Sequence, residues 1–252
     1  MPNASRVKSA ARVIALLEYF ARLRRPALLK DVCAALKYPQ SSTTVLLKTL
    51  TTLGYLTYNR RRRVYFPTAR VTALGDWIPG ALFGQGKILE IMRDVHSATG
   101  ETVSITIQND IYIQYIRLIL STHALRFHVD EGTMRLLPHS VIGWALMSTM
   151  EDDEIENLVR RARIAAGPSI HTPSVGEMMN SIAKIRRDEF GYAENIPFLG
   201  GAAICVLLPV TILDQPVVMA IGGPVERMRV NHTRHLALLR RARKSLAPAG
   251  RP

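Results

Sequence analysis

The sequence has 252 residues, of which 48% are hydrophobic, and it carries a formal net charge of +13. This length and composition allow a buried core in one or two domains and exclude a disordered or collagen-like chain. The longest apolar run, 202–210, is far shorter than the roughly 20 residues of a membrane helix, and the N-terminus has no signal-peptide pattern, so we expect a cytoplasmic protein that does not enter a membrane.

The positive charge is concentrated in the first quarter of the chain. Residues 1–70 contain 14 lysines and arginines but only two acidic residues, so they carry +12 of the total of +13. A domain that neutralises nucleic-acid phosphates has this distribution of charge. A solvated basic tail is the alternative, but such a tail is poor in apolar residues and this segment is not.

The same segment has the periodicity of three short helices. Residues 9–21 place five apolar side chains on one helical face: Ala10, Val13, Ile14, Leu17 and Phe20. After Pro26 a second helix is predicted over 30–36. The break at 38–42 offers a serine as the N-cap of a third helix over 42–53. That helix is expected to bury four side chains: Thr43, Leu46, Leu47 and Leu50.

A basic hairpin follows the third helix. Two short strands, 55–58 and 63–66, are predicted on either side of an arginine-rich turn. Three helices followed by such a hairpin predict a winged helix-turn-helix, whose third helix enters the major groove while the wing contacts phosphates or the minor groove. The candidate DNA contacts are on the outer face of the third helix and on the wing: Gln40, Ser41, Ser42, Thr44, Val45, Lys48, Arg60, Arg61, Arg62 and Arg63.

The remainder of the chain has a mixed pattern. We expect a DNA-binding domain over 1–70, a linker over 71–84 and a second domain over 85–250. In the second domain the predicted helices are 85–99, 140–149, 151–165, one that a capping box at Ser174 and Glu177 opens and Gly191 ends, and 232–246. The predicted strands are 102–108, 111–119, 124–129, 204–213 and 217–222. This α+β order predicts an antiparallel sheet with helices packed on it.

Several fragments, in order and in spacing, resemble the IclR family of bacterial transcription factors. They are residues 29–36, 39–42, 46–50, 54–56 and Tyr65 in the first domain, and residues 100–103, 143–146, 191–193 and 205–210 in the second. The resemblance implies a GAF-like effector domain and a homodimer paired through the DNA-binding domains, or a tetramer. It also implies double-stranded DNA with a pseudo-palindromic operator as the partner.

The resemblance further implies where a small effector binds. The implied site residues are His139, Ser140, Trp144, Asn195, Phe198, Cys205, Ala220 and Gly222. Relatives that bind small carboxylates have two serines where Ala220 and Gly222 stand, and an aspartate where Asn195 stands. Burying a small anion without hydrogen-bond donors costs several kcal/mol. We therefore predict an aromatic or relatively apolar organic acid as the effector.

Two features of the sequence could indicate catalysis or metal binding instead. Cys205 lies in an apolar run typical of a strand, so inert packing is favoured over a nucleophile with His139 as its base. The pair His232 and His235 has helical spacing but lacks further ligands, and a solvated basic face is favoured over a metal site. We therefore expect no catalysis, cofactor or metal. An architectural nucleic-acid-binding protein without an effector is the alternative function.

Overall fold

The computed structural model describes residues 7–84, 86–166 and 174–247. The chain divides into two compact units between Ala81 and Leu82. In the described residues no helix has both the length and the hydrophobicity to cross a membrane.

The first unit has the predicted winged helix-turn-helix order. Its helices are α1 (Lys8–Leu23), α2 (Leu29–Leu36), α3 (Gln40–Thr52), α4 (Ala69–Ala73) and α5 (Ile78–Phe83), the last of which crosses the unit boundary. Its strands are β1 (Ala27–Leu28), β2 (Leu56–Asn59) and β3 (Val64–Pro67), which form an antiparallel sheet in the order β1–β3–β2. The two-residue strand β1 was not predicted, because it is too short to show an alternating pattern. The two short helices α4 and α5 occupy most of the segment predicted to be a linker.

The core of the first unit differs from the prediction at α1. Leu16 and Phe20 are buried, whereas Ile14 is 56% exposed. The predicted face was wrong by part of a turn, since Leu16, which was not in it, lies at its centre. The four residues expected to be buried by α3 do face the core, with Thr43, Leu47 and Leu50 fully buried and Leu46 packed at the edge.

The second unit alternates helices with antiparallel strands. Its helices are α6 (Lys87–Thr99), α7 (Val141–Met147), α8 (Asp152–Ala166), α9 (Val175–Asp188), α10 (Val225–Val230) and α11 (His232–Leu246), with a 3₁₀ turn at Leu137–His139. Its strands are β4 (Thr102–Asn109), β5 (Tyr112–Ile119), β6 (Met134–Leu136), β7 (Gly191–Glu194), β8 (Gly201–Ile212) and β9 (Gln215–Pro224). Among the described residues they form one antiparallel sheet in the order β6–β5–β4–β9–β8–β7, which confirms the α+β prediction.

Two predicted elements of this unit were wrong. Residues 124–129 form no strand, and the chain reaches the sheet only at β6. The apolar side chains that suggested a strand, Phe127 and Val129, instead line a cavity. Gly191 does not end a helix but begins β7, because α9 ends at Asp188 with Glu189 in the left-handed conformation as its cap. The capping box at the start of α9 is present as predicted.

The two faces of the sheet carry different side chains. On one face the aliphatic residues of β4, β8 and β9 pack against α6 and α11. The other face packs against α7, α8 and α9, and its inner strands carry small and polar residues such as Ser104 and Ala220. Since small side chains do not fill the space under the helix layer, this second face is where a cavity can form.

Candidate nucleic-acid interface and ligand cavity

The outer face of α3 presents the predicted DNA contacts to solvent. Gln40, Ser41, Val45 and Lys48 are exposed, and Val45 in particular is 64% exposed although it is apolar. An exposed valine on a helix that docks in the major groove is placed to touch a thymine methyl group. The charge on this face is small, because Lys48 is the single cation between Gln40 and Thr52. Base contacts from these side chains stay a prediction.

Hydroxyl groups on α3 are engaged with the helix itself. Ser42 Oγ and Thr43 Oγ1 donate hydrogen bonds to the carbonyl of Pro39, at 3.0 and 2.9 Å, and Thr44 Oγ1 donates to the carbonyl of Gln40 at 2.8 Å. The expected serine N-cap was therefore wrong, since Pro39 occupies that position and makes no side-chain cap. In this arrangement Ser42 and Thr44 offer a base edge their acceptor lone pairs rather than a donor.

Arg60, Arg61, Arg62 and Arg63 form the tip of the wing, hereafter the wing loop. Strands β2 and β3 pair up to Asn59 and Val64, so these four residues connect them. The loop is ordered by the Arg62 N–H, which donates to Asn59 Oδ1 at 2.9 Å, and by Arg63 in the left-handed conformation. Under the loop the rings of Tyr58 and Tyr65 pack at 4.6 Å between centroids.

All four wing-loop arginines are exposed, and none forms an ion pair with the carboxylates in the described residues. This contrasts with the second unit, where several arginines pair with acidic side chains, as Arg229 does with Glu194 at 2.6 Å. Four uncompensated cations on one ordered loop form a surface of strongly positive potential, which attracts phosphates.

A cavity lies in the second unit between the small-residue face of the sheet and the segments that cover it. It encloses about 580 Å³ of space free of protein atoms, part of it open to solvent. Its lining is mainly apolar: Leu118, Phe127, Val129, Ile142, Ile196, Pro197, Phe198, Ala202, Ala203 and Ala220, with glycines at 201, 222 and 223. The polar side chains of the lining are Thr102, Ser104 and Tyr115. The chemistry of the lining suits a small, largely apolar molecule.

Three of the eight residues implied as the effector site line this cavity, namely Phe198, Ala220 and Gly222. Ala220 and Gly222 face Ser104 and Thr102 across the β4–β9 pair. Residues of the lining that the sequence did not indicate include those from β4, β5 and residues 127–129. These residues are distant in sequence from Phe198, and the local patterns of a single sequence do not show which distant residues come into contact.

The other five implied residues do not line the cavity, and four of them have clear structural tasks. Ser140 Oγ caps α7 by accepting from the Gly143 N–H at 3.0 Å. The buried Trp144 donates its indole N–H to the Pro138 carbonyl at 2.9 Å. Asn195 Oδ1 accepts from the Gly200 N–H at 2.8 Å and so closes the loop that carries Phe198.

Cys205 is the fourth of these residues, and it is completely buried against α7. Its Sγ lies 3.7 Å from the Val141 carbonyl oxygen, and burial raises the pKa of the thiol to about 12. A thiol held in its neutral form is a poor nucleophile. The remaining residue, His139, ends the 3₁₀ turn before α7 and is half-buried.

A stack of aromatic rings covers one side of the cavity. The rings of Phe127 and Phe198 are nearly parallel, with 5.7 Å between their centroids. The guanidinium of Arg135, a residue of β6, lies 4.4 Å from the centroid of the Phe198 ring. Offset aromatic stacking and cation–π contacts of this kind each contribute about 0.5–1.5 kcal/mol. The stack therefore joins the segment before β6 to the loop before β8.

A buried ion pair lies next to the cavity lining. Glu101 is only 2% exposed, and its two carboxylate oxygens accept from Arg227 at 2.6 and 2.9 Å. Its carboxylate packs directly against the backbone of Gly223, which lines the cavity. The same arginine donates to the Leu125 carbonyl at 3.0 Å, which ties down the loop that carries Phe127.

The histidine pair of α11 does not form the solvated face that was expected. His235 is buried, and this desolvation lowers its pKa, while the His232 ring packs edge-on against Tyr192 at 4.7 Å. No group of three or more His, Cys, Asp or Glu residues in the described stretches is arranged to hold a metal ion.

Known protein families match both units. The IclR helix-turn-helix domain matches residues 9–60, and the family described as bacterial transcriptional regulator IclR, C-terminal, matches residues 86–247. The transcriptional repressor IclR of Escherichia coli (strain K12) is 22% identical over 241 residues, which cover 90% of this chain and 84% of that protein.

Solved structures agree with these matches. The effector domain of a transcriptional regulator IclR from Acinetobacter sp. ADP1 is 48% identical, with a TM-score of 0.64 over 68% of this chain and 99% of that chain. The IclR structure from Thermotoga maritima has a TM-score of 0.75 at 12% identity, over 96% of this chain and 98% of that chain. Its likeness shows the fold of the whole chain.

Proposed function

This chain belongs to the IclR family of bacterial transcriptional regulators, and from that premise we propose that an aromatic or relatively apolar organic acid controls its binding to an operator. In this proposal the regulator acts in the cytoplasm as a repressor and binds a pseudo-palindromic DNA site as a homodimer or a tetramer. The curated relative from Escherichia coli is named a repressor, which supports this sign of regulation.

The cavity of the second unit is the observation that carries the effector proposal. Its lining offers apolar and aromatic surface for a ring and only three polar side chains, Thr102, Ser104 and Tyr115. A compact, highly charged acid would lose its hydration there without enough donors to replace it. The 48% identical solved structure is described as an effector domain, which supports ligand binding by this unit.

Exposed apolar side chains of the first unit support association of two protomers. Val7 and Ile14 on or beside α1, and Leu74 and Trp77 between α4 and α5, are each more than half exposed. Apolar side chains of this size contribute most when a partner removes them from water. Two protomers that pair in this way would present two copies of α3 to DNA.

Footprinting on genomic fragments tests the operator part of the proposal. We expect protection of two half-sites whose centres are about 10 base pairs, or a multiple of that spacing, apart, because two α3 helices must enter the groove on the same side of the duplex. Uniform protection that depends only on salt concentration would instead support an architectural nucleic-acid-binding protein without an effector.

Thermal-shift measurements with a panel of aromatic and aliphatic acids test the effector part. At a ligand concentration near the parental Kd, we expect Phe198→Ala to reduce the ligand-induced rise in Tm by about half or more, since losing one stacked ring weakens binding by about threefold to tenfold. Leu199→Ala is the matched control, because Leu199 is 89% exposed on the same loop. Equal ligand-induced shifts in parent and Phe198→Ala would remove the cavity as the binding site.

A further inference from the structure

The cavity lining has no charged side chain among the described residues, although the proposed effector is an acid. A carboxylate that enters such a space needs a cation or several donors within hydrogen-bond distance to replace its hydration. Two arginines lie behind the lining: Arg227 pairs with Glu101, which packs against Gly223, and Arg135 contacts Phe198.

These two arginines differ in whether their charge is already compensated. Arg227 forms a bidentate ion pair with the buried Glu101 carboxylate and donates a further hydrogen bond to a backbone carbonyl. Arg135 forms no ion pair with any carboxylate in the described residues. The charge of Arg135 is therefore available to a ligand, and that of Arg227 is not.

The register of the sheet directs Arg135 to the cavity side. Arg135 in β6 stands opposite Ile113 in β5, and directly opposed residues of an antiparallel pair point to the same face. Ile113 and Tyr115 belong to the core cluster on the cavity face, and Tyr115 itself lines the cavity. Burial raises the pKa of the Tyr115 hydroxyl, and the nearby Arg135 guanidinium opposes that rise.

The hydrogen bonds of Arg135 are incomplete. Its Nε is buried and has no hydrogen-bond partner, whereas Arg186 in the same unit uses three donors on the Ser148 carbonyl, the Asp152 carboxylate and the Met150 carbonyl. An unsatisfied buried donor is costly, so a bound group that accepts a hydrogen bond from Arg135 would lower the free energy of the folded protein.

We propose that Arg135 is the residue that binds the acid group of the effector, with the Tyr115 hydroxyl beside it and the ligand's apolar body in the cavity. This inference rests on the proposed function and deepens it by naming the anchor. A guanidinium suits a carboxylate because two parallel N–H groups can donate to both oxygens. The charges also select the class of ligand: among the described residues no charged side chain lines the cavity and Arg227 is already paired with Glu101, so a second carboxylate would find no cation there. The site therefore favours an aromatic monocarboxylate over a dicarboxylate.

The test is calorimetric titration of the full-length protein with benzoate, phenylacetate and 3-phenylpropanoate, each paired with its neutral carboxamide. We expect the parent to bind at least one acid about tenfold more tightly than its amide. Arg135→Met should lower the affinity for that acid by about tenfold to 100-fold and change the affinity for the amide by less than about threefold. Arg117→Met is the control, because Arg117 is an exposed arginine of the neighbouring strand paired with Glu131.

Each outcome has a defined consequence. If the parent binds none of the acids, both the proposed effector class and the anchor are overturned. If the parent binds an acid and Arg135→Met keeps the preference over the amide, the anchor alone is overturned and the cavity remains the effector site. Equal losses for acid and amide would assign Arg135 a packing role and would also overturn the anchor.

Arg135→Lys covers the case in which Arg135→Met does not fold. Lysine keeps the positive charge but cannot donate two parallel hydrogen bonds. We expect it to lower the affinity for the acid by about threefold to tenfold and to leave the affinity for the amide unchanged. An acid affinity equal to that of the parent would overturn the assignment of Arg135.

Discussion

Replacing Arg60, Arg61, Arg62 and Arg63 together by alanine is expected to weaken DNA binding by about 100-fold or more near 0.15 M salt. The reason is that each phosphate contact releases condensed counterions, and the logarithm of the binding constant falls by about 0.9 per contact for each tenfold increase in salt. The four side chains are exposed, ordered on one loop and without ion pairs in the described residues, so each is free to meet a phosphate.

The measurement is fluorescence anisotropy on one DNA duplex at four or more salt concentrations. We expect the slope of log binding constant against log salt to lose about three to four units in the fourfold variant and about one unit in Lys48→Ala or Arg61→Ala. A random duplex serves as well as an operator for this purpose, because phosphate contacts do not depend on sequence.

A matched control separates the wing loop from net charge. Alanine at Arg160, Lys184, Arg241 and Lys244 removes the same four charges from exposed positions of the second unit. That variant should keep the parental slope within about one unit. If the control loses as much affinity as the wing-loop variant, the wing loop does not contact phosphates and overall charge accounts for the binding.

Gly143→Ala is expected to lower the stability of the second unit by about 3 kcal/mol or more, which corresponds to a fall in Tm of roughly 6–12 °C. A Cβ atom at this position would overlap the Leu137 carbonyl oxygen and lie 2.6 Å from the carbonyl carbon. Backbone atoms cannot rotate away as a side chain does. The whole of α7 would have to move, and all of its residues are buried.

Differential scanning calorimetry of the full chain measures this effect, with Gly176→Ala as the control. Gly176 lies in α9, and a Cβ added there meets no atom within 4 Å among the described residues outside its own stretch of helix. In a helix the change from glycine to alanine then stabilises by up to about 1 kcal/mol. We therefore expect opposite signs for the same chemical substitution. A Gly143→Ala protein that melts within about 1 °C of the parent would contradict the close approach of α7 to Leu137.

The first unit illustrates how far local patterns reach. Helical periodicity, the break at 38–42 and an arginine-rich turn between two short strands were enough to predict the winged helix-turn-helix, because each of these signals acts within a few residues. The errors in this unit are small and have local causes. The predicted buried face of α1 did not include Leu16, and the N-cap of α3 was assigned to a serine although Pro39 occupies that position.

The ligand cavity illustrates what local patterns miss. Ser104 and Ala220 face each other across a strand pair although more than 100 residues separate them in the sequence. Residues 124–129 alternate like a strand, yet Phe127 stacks on Phe198 instead of joining the sheet. Of the eight residues that the family resemblance implied, three line the cavity, while Ser140, Trp144 and Asn195 hold the backbone around it.

The sequence by itself determined the class of each unit and the location of the positive charge, because periodicity, turn residues and composition are properties of neighbouring residues. Only the tertiary structure decided which side chains meet around the cavity and which cation there has no carboxylate partner among the described residues. The physical reason is that pairing depends on strand register: Arg135 stands opposite Ile113 and reaches Phe198, while the Glu101 carboxylate pairs with Arg227. Nothing in the order of the residues distinguishes one of these arginines from the other.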